Sequence, residues 1–195
     1  MVSAHRKMDA RDFIWLAALG MAARTPSSLN DICNAIDGIA GPSWAPVTEV
    51  VLGCVEEMVR GGNLRETSDQ DGVEEVFAIT DQGRQTLSLL MAQPIDCPIN
   101  PLGQVGLRLK LAFIDLMPTA ERRHQLERVI CSLEGELASR ERHCDACPGR
   151  GSFGRLWRDL DTDRLRREIM LLRTFAGPDA PPVAFAISTS APLSP

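Results

Sequence analysis

The stretch at residues 46–91 constrains the fold of this chain more than any other part of the sequence. Its first part carries apolar residues at three-and-four spacing, which predicts a helix with one buried stripe made of Val47, Val50, Val51, Cys54, Val55 and Met58. Two glycines, at positions 61 and 62, end this helix. Residues 64–67 and 73–79 are then predicted as two short strands around a polar bend. Thr80 is placed to cap a further helix that runs through Met91.

Two more helices are predicted upstream of this stretch. Residues 12–23 have an apolar, Ala-rich face, and Pro26 ends that helix. Ser28 is the predicted N-cap of the second helix, with Asp31 three residues on. Three helices, a two-stranded wing and a fourth helix are the order of a winged helix-turn-helix, so the fold class is mainly α. The commonest use of that fold is to place the third helix in a DNA major groove.

Length and composition limit the class of protein. The chain has 195 residues and a hydrophobic content of 44%, enough for a real core. No apolar run reaches the roughly 18 residues of a membrane span, and the first residues lack the apolar segment of a secretory signal, so we expect a soluble, cytoplasmic protein. The six cysteines are scattered, which favours reduced thiols over a disulfide framework.

The second half of the chain predicts a helical region joined to the winged unit, residues 1–92, by a linker at 93–106 that is rich in Pro and Gly. One helix is predicted through about residue 116 and another from 119 to about 142, with apolar positions at Leu126, Val129, Ile130, Leu133 and Leu137. A last helix at about 154–175 is predicted to place one set of apolar residues on one side, namely Leu156, Leu160, Leu165, Ile169 and Leu172. These stripes must bury against each other or against a second copy. Residues 177–195 are predicted to be a disordered tail, with a strand at 183–187 as the alternative.

Several short motifs resemble the PadR-like family of winged-helix transcription regulators. They are Ala-Leu-Gly ending the first helix, Pro-Ser-Ser-Leu starting the second, a Trp at the entry to the third, Gly-Gly-Asn-Leu at its exit, Ile-Thr-Asp-Gln-Gly-Arg after the wing, and the run at 107–118. The resemblance covers residues 11–176. It implies operator DNA as the ligand and a homodimer made by the C-terminal helices, residues 107–176, packed antiparallel. It also permits a small-molecule effector between the winged unit and the helical arm.

The predicted DNA-contacting residues are Ser43, Trp44, Thr48, Arg60 and Arg65. For Trp44 the alternative is packing, and for Thr48 it is an N-cap. The family commonly has a tyrosine in the recognition helix and basic residues before the second wing strand. This chain has no tyrosine, with Leu52 in the corresponding place, and carries Glu74 and Glu75 in the wing.

The balance of charge opposes DNA binding by the winged unit alone. The net charge is −5, and residues 1–92 hold seven Lys and Arg against thirteen Asp and Glu, a net −6. Carboxylates reverse the sign of the phosphate attraction on which duplex binding depends. In a dimer, Arg108 and Lys110 are expected to help supply a positive strip.

The loop at 143–151 is the only other stretch that has the composition of a site. His143, Cys144 and Cys147 offer soft ligands, but one chain supplies at most three of the four that tetrahedral zinc requires. An ordinary Gly/Pro turn is favoured, with metal binding or a redox switch as alternatives. None of the three histidines belongs to a nucleophile–base motif, so neither an enzyme nor a cofactor is expected.

Two functions from different classes follow. The first is a dimeric transcription regulator, of the repressor type, that binds operator DNA through residues 46–60 and the wing at 64–79. The second keeps the same fold as a protein-interaction module, in which the acidic winged face meets a protein partner instead of DNA.

Overall fold

The computed structural model describes residues 7–42, 44–68, 74–95, 100–144 and 151–177. Their elements in chain order are α1 (Ala10–Arg24), α2 (Leu29–Ala40), α3 (Thr48–Arg60), β1 (Leu64–Ser68), β2 (Glu75–Ile79), α4 (Asp81–Ala92), α5 (Pro101–Ala112), a short 3-10 helix (Ile114–Leu116), α6 (Thr119–Cys144) and α7 (Ser152–Ala176). This order confirms the predicted winged helix-turn-helix followed by long helices. None of the helices in these ranges combines the length and the hydropathy that a membrane span needs.

The second helix begins where the sequence predicts, and the first begins two residues before the predicted start at residue 12; both N-termini carry local capping signals. Ser28 Oγ accepts the backbone N–H of Asp31, and the Asp31 carboxylate accepts the backbone N–H of Ser28. Asp9 and Asp12 form the same reciprocal box at the start of α1. Each box satisfies two backbone donors that a helix leaves open at its first turn. The helices then pack through fully buried side chains that include Leu16, Leu19, Ile32, Ile36, Val55 and Met58.

The wing is an antiparallel pair in which Leu64 lies opposite Ile79 and Ser68 opposite Glu75. Val73, predicted in the second strand, lies outside the described residues. The loop before α2 adds a short third pairing, because Ser27 and Phe77 exchange two backbone hydrogen bonds of 3.1 and 2.9 Å. This pairing joins the wing to the N-terminus of α2.

Helix α5 starts within the stretch predicted as a linker. Asn100 caps it, and Pro101 occupies its first turn, where a missing N–H costs nothing. Its residues Val105, Leu109 and the following Phe113 are buried in the same core as α1 to α4. One of the glycines in this stretch permits close packing instead of ending the helix: a Cβ on Gly106 would lie 2.7 Å from the Phe13 ring. Residues 101–106 are therefore helical, and the division into a winged unit and a helical region stays a prediction.

Helices α6 and α7 form an antiparallel pair with a core of their own, made of Leu126, Ile130, Leu133, Leu165, Ile169 and Leu172. The ion pairs Arg166–Glu141, at 2.8 Å, and Arg173–Glu134 join the two helices along this antiparallel pair. The prediction of a single apolar side on the last helix is wrong. Leu156 precedes Leu165 by nine residues, about two and a half turns, so the two point in opposite directions. Leu156 and Leu160 are exposed.

Candidate nucleic-acid interface

Helix α3 presents a polar face beside the wing. Its buried stripe consists of Val51, Cys54, Val55 and Met58. The prediction that Val47 and Val50 belong to this stripe is wrong, because both are exposed at the start of the helix. The face that points away from the core carries Thr48, Glu49, Leu52, Gly53, Glu56 and Arg60, all exposed. An exposed third helix next to a two-stranded wing is the arrangement that can enter a major groove while the wing lies along the adjacent backbone.

The structure gives the residues predicted to contact DNA different surroundings. Ser43 lies outside the described residues. Trp44 is half-buried and packs edge-on against Phe13, with ring centroids 6.0 Å apart, so it has a packing role. Arg60 and Arg65 are exposed at the exit of α3 and on β1. A direct contact of these side chains with DNA remains a prediction.

Thr48 is the first residue of α3 and not its cap. The N-cap position belongs to Val47, which has no side chain that can accept a hydrogen bond, so the N-cap alternative for Thr48 is wrong. Thr48 is exposed, and its side chain hydrogen-bonds the Cys33 thiol of α2. Burial raises the pKa of that thiol, and the hydrogen bond to Thr48 opposes the shift only in part. The contact joins the start of α3 to α2.

A hydrogen-bonded junction holds the wing against α3 and α4. Gly62 adopts a positive φ of 73°, which turns the chain from α3 into β1. Thr80 Oγ1 donates to the carbonyl oxygens of Gly62 and Asn63, at 2.6 and 3.1 Å. Thr86 Oγ1 donates to Asn63 Oδ1 at 2.7 Å. The two motifs that flank the wing in sequence thus meet in space, and their hydrogen bonds join the exit of α3 to the start of α4.

Carboxylates outnumber cations on this face. Glu49, Glu56, Glu74 and Glu75 are all exposed. Glu57 is not part of this group of carboxylates, because it pairs with Arg11 of α1. The Arg11 guanidinium also lies over the Trp15 ring. Glu57 is one of the thirteen acidic residues counted for residues 1–92, and the count cannot show this pairing because the partner on α1 is 46 residues away.

A groove of about 360 Å³ runs between the start of α2, α3 and the wing. Leu29, Leu52 and Phe77 give it an apolar lining, and Glu74 and Glu75 line its wing side. The groove was not predicted, because it is formed by three elements that are distant in sequence. Its chemistry suits an apolar group that carries positive charge.

Of the two cations of α5 predicted to help supply a positive strip in the dimer, Lys110 is buried and cannot contribute, whereas Arg108 is exposed, so its part in the strip stays a prediction. Lys110 is only 5% exposed, and its ammonium group donates to the backbone oxygens at the end of α4. Arg108 donates to the carbonyl oxygen of Ala40 at 2.9 Å, where α2 ends. Both side chains hold helix C-termini, whose negative dipole ends they stabilise.

The cysteine loop stays a prediction. Cys147 lies outside the described residues, and the structure places His143 and Cys144 in the last turn of α6 without describing their side chains. Within the described ranges, no three potential metal ligands come together. Cys33, Cys54 and Cys131 are free thiols.

Comparison with known proteins gives a family and several similar structures. The AphA-like transcriptional regulator model matches residues 4–176. Among solved structures, PadR of Bacillus subtilis bound to p-coumaric acid is 17% identical, with a TM-score of 0.40 over 87% of this chain and 96% of that one. The same protein bound to operator DNA is 16% identical, with a TM-score of 0.40 over 84% and 97%. A PadR-like regulator from Bacillus cereus is 13% identical, with a TM-score of 0.38 over 84% and 95%.

Comparison with curated proteins gives no match. The family model spans the winged unit, α5 and both long helices, so it covers the parts of the chain on which the predicted resemblance rested. It confirms that resemblance. The chain belongs to the family of AphA-like transcriptional regulators.

Proposed function

We propose that this protein is a homodimeric transcription regulator that binds operator DNA through α3 and the wing and acts as a repressor. The observation that supports this proposal most is the exposed face of α3 beside the wing, together with the hydrogen bonds of Thr80 that hold the wing at one angle. A preset angle lets one face engage the groove and the backbone together without a further ordering cost. Such a regulator acts in the cytoplasm, where its operator lies, and needs no catalytic residue.

The homodimer is supported by an uncovered apolar face on α7. Phe153, Leu156, Trp157 and Leu160 follow each other at three-and-four spacing, and Phe153 and Trp157 are 85% and 71% exposed. Leu171 continues the same side of the helix, and it too is exposed. Along the first two turns of α7 this face carries only apolar side chains. A second copy of the chain would bury it. Two heads joined this way would present their α3 helices to half-sites roughly 34–36 Å apart.

A small-molecule effector fits the same architecture. Helices α4, α5 and α6 meet between the winged unit and the long helices, and a ligand there would bind differently to different angles of the arm. Differential affinity for two arrangements is what an effector needs in order to shift their populations. We include effector control in the proposed function for that reason.

The acidic groove favours a second candidate function. Glu74 and Glu75 beside an apolar floor suit a basic amphipathic segment of a partner protein better than a polyanion. The same two carboxylates would therefore oppose DNA binding and promote protein binding.

Neutralising these carboxylates separates the two functions by the sign of the effect. We expect Glu74→Gln with Glu75→Gln to strengthen binding to the protein's own promoter region by about threefold to tenfold at low salt, because two repulsive charges are removed. Arg65→Gln is expected to weaken binding by a similar factor and to lower the salt slope by about 0.9. The measurement is a titration of labelled promoter DNA at two salt concentrations.

Glu127→Gln, an exposed position on α6, provides the control for loss of a negative charge outside the interface. Its promoter affinity should equal that of the unaltered protein. A lack of any salt-sensitive complex with promoter DNA would contradict the regulator and favour the interaction module. In that case a basic amphipathic peptide should bind, and the Glu74→Gln and Glu75→Gln pair should weaken it.

A further inference from the structure

The centre of the exposed face of α3 is formed by residues that return to the same side of the helix. These residues follow each other at spacings of four, three and four, and all are exposed: Glu49, Gly53, Glu56 and Arg60. Leu52 flanks this line and is 38% exposed. Because the proposed function places α3 in the major groove, side chains in its first turns would meet the edges of bases and not the phosphates.

The two carboxylates on this line are available for hydrogen bonds with bases. Within the described ranges, neither Glu49 nor Glu56 has an ion pair or a side-chain hydrogen bond, in contrast to Glu57, which pairs with Arg11. A carboxylate accepts hydrogen bonds and donates none. In the major groove it suits the N4 amino group of cytosine, whereas guanine and thymine present acceptors that oppose it. A carboxylate at such a position therefore lowers the general affinity for DNA but discriminates between bases.

The spacing of the two carboxylates is compatible with the rise of the duplex. Seven residues separate Glu49 from Glu56, about 10.5 Å along the helix axis. Successive bases on one strand lie roughly 3.4 Å apart, so the carboxylates are separated by about three base steps. Leu52 lies about one turn from each of them, and its apolar side chain is of the kind that contacts the C5 methyl group of thymine.

Gly53 leaves the surface of the helix open between the two carboxylates. A Cβ at this position would have no neighbour within 4 Å among the described residues, so packing does not require the glycine. Glycine in the interior of a helix is also less favourable than alanine. Close approach of another molecule to the backbone of α3 would account for both observations, because a glycine permits such an approach.

We propose that α3 reads two C·G pairs, about three base pairs apart, in each half-site, with Glu49 and Glu56 accepting hydrogen bonds from the cytosine N4 amino groups. Leu52 contacts a thymine methyl group, and Gly53 lets the helix lie close to the base edges. The inference rests on the proposed function, since it assigns a base preference to the helix that would enter the groove. It gives the two carboxylates a role other than repulsion of the duplex.

The test is a selection from a pool of random-sequence duplexes, with the full-length protein at low salt. We expect the unaltered protein to enrich C·G at two positions of each half-site. Glu56→Gln should change the preferred base at one of these positions from cytosine to adenine, because glutamine pairs with N6 and N7 of adenine. Glu49→Gln should do the same at the other position. Between two duplexes that differ only at the affected position, the preference should shift by about tenfold or more.

Gly53→Ala distinguishes a contact with DNA from a contribution to stability. The variant should unfold at a higher denaturant concentration, because alanine has the higher helix propensity. It should nevertheless bind the selected duplex about tenfold more weakly, since the added methyl group keeps α3 away from the base edges. Gly38→Ala is the matched control, because a Cβ there would also have no neighbour within 4 Å. It should gain stability in the same way and leave the affinity for the selected duplex unchanged.

Glu74→Gln with Glu75→Gln is the control for loss of negative charge next to DNA. This pair should strengthen binding to all duplexes and leave the selected bases unchanged. If Glu49→Gln and Glu56→Gln behave in the same way, their carboxylates only repel DNA, and the inference is overturned while the regulator stands. Undiminished binding by Gly53→Ala would overturn the close approach. If the unaltered protein enriches no sequence at low salt, the proposed function fails, and the base preference fails with it.

Discussion

Replacement of Gly83 by alanine is expected to destabilise the protein by about 3 kcal/mol or more, the upper range for overpacked positions. A Cβ at this position would lie 2.1 Å from the Asn63 carbonyl oxygen and 2.8 Å from Ile79 Cγ1. The Asn63 oxygen cannot move away freely, because it accepts hydrogen bonds from both the backbone N–H and the hydroxyl of Thr80. The free energy of unfolding in denaturant measures the effect.

Gly38→Ala supplies the control for this substitution. Gly38 lies in α2, and a Cβ there would have no neighbour within 4 Å. Alanine has the higher helix propensity, so this variant should be more stable by roughly 0.5 to 1 kcal/mol. If the two variants unfold at the same denaturant concentration, the close approach of α4 to the end of α3 is not what holds the wing. We also expect Gly83→Ala to lose promoter binding beyond its loss of stability, since the wing would be displaced.

Local signals of the fold could be predicted from the sequence, and contacts between distant segments could not. The Ser28 cap, the end of α3 at Gly61 and the start of α4 after Thr80 depend on residues within one turn of each other. The junction between Asn63 and Thr80 joins residues 17 apart. The sequence motifs before and after the wing are each recognisable, but neither motif indicates that it contacts the other.

The helix at residues 101–106, which the composition of this stretch does not predict, has a physical cause. Proline and glycine usually interrupt helices, yet Pro101 lies in the first turn of α5 and costs no hydrogen bond. The absence of a Cβ at Gly106 lets α5 approach the Phe13 ring of α1. Whether a glycine breaks a helix or permits close packing depends on its neighbour in space, which periodicity does not reveal.

The candidate site was predictable to the same extent. The recognition helix and its outward acids follow from spacing, because helical position decides exposure. The pairing of Glu57 with Arg11 and the burial of Lys110 depend on tertiary packing. The charges counted along the sequence therefore overstate the negative charge on the exposed face of α3 and the positive charge available for the predicted strip.

Paired substitution of Leu156 and Leu160 by aspartate is expected to convert the proposed homodimer into monomers. Each leucine removed from an interface forfeits about 1.5 to 3 kcal/mol of apolar burial, and the introduced carboxylates must also be desolvated. A loss of more than about 3 kcal/mol weakens dimerisation more than hundredfold. Sedimentation equilibrium over a range of protein concentrations measures the change. The protomer should stay folded, because both leucines are exposed in the single chain and the α6–α7 core uses Leu165, Ile169 and Leu172.

Arg155→Asp, on the opposite side of α7, controls for the introduction of negative charge into this helix. Arg155 is next to Leu156 in sequence and five residues, about 1.4 turns, before Leu160, so its side chain points away from the apolar stripe. This variant should therefore leave the mass of the assembly unchanged. The leucine variant should also lose promoter affinity steeply, since each monomer can occupy only one half-site and the gain from joining two heads disappears. A dimer of undiminished stability in the leucine variant would place the interface elsewhere and leave the exposed face of α7 free for a different partner. Unchanged promoter affinity in a proven monomer would instead show that one head is sufficient for DNA binding.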